Sequence, residues 1–280
     1  MLRIGLVVLE KGVGSDRIES DGKWEAVQLF NKGANMKMFK AQPRTEALDA
    51  FAILGADESK VRYVREAFSL GKHVMADFPA GRNQQEVLKL RDLACSSCLR
   101  FHSPNLLKSE PGMAEFKRKA EDPTSKLASL TVSCSMSARG KNAFWMKLTQ
   151  LVDWVEWMAG TKCVELRSQK SAKTGSNFAQ VVLLTHENGV KTLLNVHSAA
   201  EVDYPRLWVD AIFDTSIMHL EPTAQTVLVD RFGGSTGRVN WAEPAVNRAL
   251  NEFVSLIESG SDRSELSGSD RVIELSRKLA

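Results

Sequence analysis

The chain divides by the rhythm of its apolar positions. In the first third, short continuous apolar runs end at turn residues: Leu2 to Leu9, Ala26 to Phe30 after Trp24, Ala50 to Leu54 before Gly55, and His73 to Ala76 before Asp77-Phe78-Pro79. Runs of this kind suit strands buried on both faces of a parallel sheet. Helical patterns lie between them. Asp57 is placed to cap a helix whose Val61, Val64, Ala67 and Phe68 share one face, with Gly71 closing it. A more polar helix runs from about Gln84 to Ala94, and a short strand follows at Leu99 to His102. Strands alternating with helices at this spacing predict a parallel sheet with right-handed crossovers.

Near Ser103 the rhythm changes. Leu127 to Met136 alternates, with Ala128, Leu130, Val132, Cys134 and Met136 on one face and Ser129, Thr131, Ser133 and Ser135 on the other. That is the pattern of a strand in an antiparallel sheet with one packed face. Further strands are expected at Val164–Ser168, Gln180–Thr185, Thr192–His197, Leu207–Phe213 and Thr226–Asp230, and Asn188-Gly189 signals a hairpin. Helical spacing predicts a helix from Leu148 to Ala159. An amphipathic helix runs through Val246, Leu250, Phe253, Val254 and Ile257, and a last short one ends at Leu279. The expected organisation is an α/β domain over residues 1–104, then an α+β domain over 105–280 with an open, mainly antiparallel sheet and C-terminal helices.

Composition narrows the function classes. At 280 residues the chain can bury two cores. With 43% hydrophobic and 25% charged residues it reads as a soluble globular protein. Its net charge of +3 is scattered rather than striped, which argues against nucleic acid as a partner. No apolar run reaches the ~18 residues needed to span a bilayer, and the start lacks a signal-peptide layout, so a cytoplasmic location is expected. Cys95 and Cys98 have the spacing of a redox or zinc half-site, but no second ligand pair completes a metal site.

Asp49 to Leu54, Asp57-Glu58-Ser59 and Gly71 to Pro79, followed by Gln150 to Gly160 and the stretch from Glu243 to Leu279, together resemble the Gfo/Idh/MocA-type oxidoreductases over essentially the whole chain. The resemblance implies a Rossmann-like first domain that binds NADP or NAD, and a second domain carrying the substrate side of the site. Among subgroups the biliverdin reductases look most similar, with Phe78 before the proline, Trp154 on the helix, and His102 at the start of the crossover. It implies a small-molecule ligand and a homodimer through the C-terminal sheet, whose Ser129, Thr131, Ser133, Ser135 face is short-chained.

The chemistry departs from that pattern. The phosphate-binding turn would have glycines at Val8 and Glu10, which bring a β-branched side chain and a carboxylate instead; Gly12 and Gly14 remain to line the loop. Two like charges ~4–5 Å apart cost about 1 kcal/mol in water and several at lower dielectric, so Glu10 opposes a bound pyrophosphate. Asn31 and Lys32 after the second strand suit a 2′-phosphate, favouring NADPH over NADH. Where the family carries a Lys and a His for proton transfer, this chain has Phe78 and Gln150, and neither can act as general base. His102 and Asp77 are then the candidate proton-transfer groups, with Arg139 and Lys147 if they reach the cleft. Gln150, Asp153, Trp154 and Arg139 are the candidate substrate pocket, and Phe78 and Pro79 the nicotinamide end of the cofactor site. Two functions are compatible with these residues: a reductase of a conjugated substrate, and a catalytically inactive relative that uses the fold to bind a ligand or partner.

Overall fold

The computed structural model describes residues 1–9, 18, 22–30, 47–55, 59–110, 112–136, 141–170, 178–198, 206–221, 226–231, 237–240, 245–260 and 270–279. Glu10, Gly12, Gly14, Asn31, Lys32, Asp57 and Arg139 lie outside them.

Five strands, β1 (Leu2–Val8), β2 (Trp24–Phe30), β3 (Ala50–Leu54), β4 (His73–Ala76) and β5 (Phe101–His102), form a parallel sheet in the order β2-β1-β3-β4-β5. β3 is buried along its whole length, which is why it reads as an unbroken apolar run. One face of the sheet presents Phe51, Ile53, Val74, Ala76 and Phe101 to helices α1 (Lys60–Ser69) and α2 (Gln84–Ser96), through Val61, Val64, Phe68 and Leu90. The other presents Ile4, Leu6, Ala52, Leu54 and Met75 to α5 (Ala245–Glu258), through Val246, Leu250 and Phe253. The end of the chain therefore completes the first layer, and Trp24 Nε1 of β2 donates to Asn251 Oδ1 of α5 at 2.8 Å. The residue preceding α1 is Ser59, whose side chain makes no capping bond.

The second sheet has eight strands: β6 (Leu127–Met136), β7 (Cys163–Lys170), β8 (Phe178–His186), β9 (Lys191–Ser198), β10 (Arg206–Phe213), β11 (Ser216–Glu221), β12 (Thr226–Arg231) and β13 (Gly237–Asn240). Their order is β13-β12-β11-β10-β6-β9-β8-β7. Every neighbouring pair is antiparallel except β6 with β9, which is parallel, so the sheet is mixed at its centre. The Asn188-Gly189 hairpin forms as expected, with Gly189 at φ +86°. The packed face of β6 is Leu130, Val132 and Cys134; Ala128 departs from the expected alternation. A bulge against β10 pairs Ile212 with Ser129 and Phe213 with Leu127, so Leu127 packs on the core and Ala128 is exposed. Helices α3 (Gly112–Ala120), α4 (Lys141–Ala159) and α6 (Asp270–Arg277) cover this face. The opposite face carries the serine and threonine row of β6, with exposed Trp208 and Ile212 on neighbouring β10 and, beyond β9, exposed Val181 and Leu183 on β8.

Among the described residues no helix is long and apolar enough to cross a membrane.

Candidate functional site

The C-terminal ends of β3, β4 and β5 meet the crossover that leads to the second sheet, and two lysine–aspartate pairs stand there. The first belongs to the parallel sheet. Lys60 opens α1 on the same helix face as Val64 and Ala67, and is only 1% exposed. Its Nζ donates to Asp77 Oδ1 at 2.5 Å, to the Asp77 carbonyl at 2.9 Å and to the Pro79 carbonyl at 3.2 Å. Asp77 Oδ2 accepts from the Gly55 N–H at 3.1 Å. All three donors of the ammonium are used, and both carboxylate oxygens are engaged. The pair ties the ends of β3 and β4 to the Phe78-Pro79 turn, whose peptide bond is cis. Phe78 N–H donates to the Pro104 carbonyl at 2.9 Å, which sets the crossover beside that turn.

The second pair is built by that crossover and α4. Asn105 caps a short 3₁₀ turn, Leu106–Ser109, by accepting from Leu107 N–H at 3.2 Å. Its Nδ2 reaches across to the Gln150 carbonyl at 2.9 Å and to Asp153 Oδ2 at 2.7 Å. Lys108, on the same turn, contacts Asp153 Oδ2 at 2.7 Å, with its side chain 21% exposed and that of Asp153 5%. Lys147 Nζ donates to Gln150 Oε1 at 2.8 Å. Lys147, Gln150 and Asp153 follow at three-residue intervals along α4, each beside the next.

No protein-family model matches the chain, and no curated protein matches it in sequence. Solved structures do match. The dehydrogenase MviM of Clostridium difficile superposes with a TM-score of 0.72 at 13% identity, covering 99% of this chain and 98% of that one. A 3-ketoreductase, KijD10 from Actinomadura kijaniata, solved as a variant with TDP-benzene and NADP, gives 0.72 at 13% identity over 99% and 96%. Biliverdin reductase from Synechocystis, solved with biliverdin and NADP+, gives 0.66 at 13% identity over 99% and 96%. The chain has the Gfo/Idh/MocA-type fold.

In this Gfo/Idh/MocA-type fold the expected site residues separate. Asp77, Phe78 and Pro79 gather at the crevice with Gln150 and Asp153, and all are buried. His102 is turned to α5. Its ring stacks on Phe253 at a centroid distance of 6.3 Å, and its Nε2 is 3.8 Å from the Glu252 carboxylate. Trp154 is fully buried in the core that α4 makes with the large sheet. Lys60, Asn105 and Lys108 were not singled out by sequence. Only Lys60 carries a signal, a charged residue on the apolar stripe of its helix.

A nicotinamide dinucleotide would lie across the mouth of this sheet, where strand order reverses between β1 and β3. The test is Val8, at the first expected glycine. It remains extended, pairs with Leu54, and shares the face of Ile4, Leu6 and Leu54 that α5 covers. Val8 is buried within the strand, so this described position leaves the dinucleotide site open to the group; the rest of the phosphate turn lies outside the described residues. Among the described residues no group of three or more His, Cys, Asp and Glu side chains is arranged to hold a metal.

Proposed function

We propose that the protein is an NAD(P)H-dependent reductase of a conjugated substrate, of biliverdin-reductase-like type, in which Lys108 delivers the proton. The observation that supports it is the Lys108–Asp153–Asn105 cluster beside the Phe78-Pro79 turn. Phe78 and Gln150 have no proton to give at neutral pH, and Asp77 is enclosed by Lys60. Lys108 is different. Its ammonium is held by a buried carboxylate on a side chain that keeps 21% exposure, which suits it to give a proton to substrate and regain one from water. Asp153 and Asn105 hold the ammonium in place.

The bound dinucleotide would supply the hydride. Phe78 and Pro79 would border its nicotinamide end; in the sequence, Gly12 and Gly14 fall where the phosphate turn is expected and Asn31-Lys32 where a 2′-phosphate would be met. As hydride adds to the conjugated system, negative charge develops at the far end of that system, and Lys108 neutralises it. His102 and Asp77 serve the architecture of the crevice in this reading. The protein works in the cytoplasm as a homodimer, its subunits pairing through the open face of the eight-stranded sheet, where Trp208, Val181 and Leu183 accompany the short-chained row of β6.

The experiment is a fluorescence titration with NADPH, followed by absorbance with biliverdin. Micromolar NADPH binding and loss of biliverdin's long-wavelength band support the reading. Folded protein that binds no NADPH at millimolar concentration overturns it, and the fold then serves ligand or partner binding without turnover.

A further inference from the structure

The polar face of α4 carries more positive charge than its neighbours balance. Lys147 is partly buried, and one of its three donors is used, by the neutral Gln150 Oε1 at 2.8 Å. Asp153, the carboxylate on this face, is already taken by Lys108 and Asn105. Further along the helix, Lys117 of α3 has its ammonium 4.4 Å from the centroid of the Trp157 ring and donates to the Trp157 carbonyl at 3.1 Å. Burial lowers its pKa against the pull of Glu121, and repulsion from Lys108 adds a smaller push in the same direction as burial. Among the described residues, no carboxylate is paired with Lys147. A partly buried ammonium with no paired carboxylate is a ready partner for an incoming counter-charge. Gln150 fixes its position without neutralising it, and lies between Lys147 and the Lys108–Asp153 pair along α4.

We propose that Lys147 receives an anionic group of the substrate, a carboxylate or a phosphate, so that the reducible part of the substrate is set against Lys108. This rests on the reading of the crevice as the substrate site. Among the described residues Asp153 is the counter-charge of Lys108, which leaves the Lys147 ammonium for one anionic group to balance. Asp153 repels an anion that approaches from the Lys108 side, so the group is directed to the Lys147 end. Neutral substrates would lack this anchor.

The full-length protein without nucleotide is titrated with sodium phosphate and with sodium succinate at constant ionic strength, by calorimetry and by thermal shift. At least one probe binds, and which one does separates phosphoryl from carboxylate recognition. Lys147→Met and Lys147→Gln weaken that binding roughly tenfold or more, whereas Lys147→Arg keeps it within a few-fold. Circular dichroism and melting in the absence of anion show that the variants are folded. If neither probe binds wild type, or both neutral variants bind as wild type does, the inference is wrong. NADPH titration is read separately: anion binding that depends on Lys147 in a protein that binds no NADPH retains this site and removes the reductase assignment.

Discussion

The two lysine–aspartate pairs at the crevice have the same chemistry and opposite surroundings. Lys60 and Asp77 have side chains only 1% and 9% exposed, and every hydrogen-bonding group they possess points at protein. Lys108 and Asp153 share one contact of similar length, yet the lysine keeps 21% of its side chain exposed. A sealed pair cannot exchange a proton with water or approach a substrate, so its work is structural. A pair open on its cationic side keeps a charge in place while leaving it available. The same two residue types thus serve as a fastener on one side of the crevice and as a proton source on the other. Breaking each pair in turn tests that division.

The largest effect is expected at the sealed pair. Lys60→Met leaves Asp77 buried with the Gly55 N–H as its remaining partner, and removes the donors from two carbonyls. Loss of one partner of a buried ion pair costs about 3–5 kcal/mol. Urea unfolding should show it as a lower midpoint at unchanged slope. The double variant Lys60→Met, Asp77→Asn should recover part of the loss, because no uncompensated charge remains. A Lys60→Met protein as stable as wild type would mean that the sealed pair fastens nothing.

The open pair should show the reverse balance. Lys108→Met leaves Asp153 with the Asn105 Nδ2 donor and strands no backbone carbonyl, so its stability cost is smaller, about 1–3 kcal/mol. Turnover should fall about a hundredfold or more, carried by kcat, because a positioned proton donor contributes ~10²–10⁴. Asp153→Asn keeps the Lys108 ammonium but loosens it, and should reduce kcat less. Equal turnover in Lys108→Met and wild type would remove Lys108 from the chemistry.

The fold was legible where burial is written in apolar periodicity, and obscure where contacts are long-range. β3 and β4 stood out because strands covered on both faces leave no polar position. β11 did not, because His219 and Glu221 lie on its open face and leave only Met218 and Leu220 as buried apolar markers. β13 is four residues long and has Val239 as its single apolar side chain. The bulge at Ala128 depends on how β10 pairs, which β6 alone does not encode. At the site, Phe78, Gln150 and Asp153 came from the family resemblance, and the structure brings them to one crevice. Lys108 had no local mark, since Asp153 lies 45 residues further along the chain. His102 looked reactive because a histidine ends a strand; the side of the sheet it faces is set by α5, from the far end of the chain.

The smallest expected effect contrasts a half-buried histidine with a buried one, one in each sheet. His73 begins β4, and its Nδ1 accepts from the Arg100 N–H at 2.9 Å. Burial lowers its pKa below the ordinary 6.5, and the positive charge of Arg100 adds to this against the pull of Asp49. His186 ends β8, with Nε2 2.9 Å from Thr192 Oγ1 and Nδ1 3.3 Å from the Thr161 carbonyl. Burial again lowers its pKa, but here the Thr161 carbonyl opposes the shift. In both cases the unfolded chain takes up the proton first as pH falls. The stabilisation is therefore complete above about pH 6.5, is lost as pH falls from there toward the folded values, and changes no further below them. Melting temperature should drop between about pH 7.5 and pH 5.5. His73→Gln, which keeps an acceptor for Arg100, and His186→Gln should each flatten that drop. His73→Gln should flatten it more, because protonation at Nδ1 of His73 destroys the bond it accepts, whereas protonated His186 still donates to Thr161. A drop unchanged by both substitutions would assign the acid sensitivity to other groups, leaving the two sheets alike in this respect.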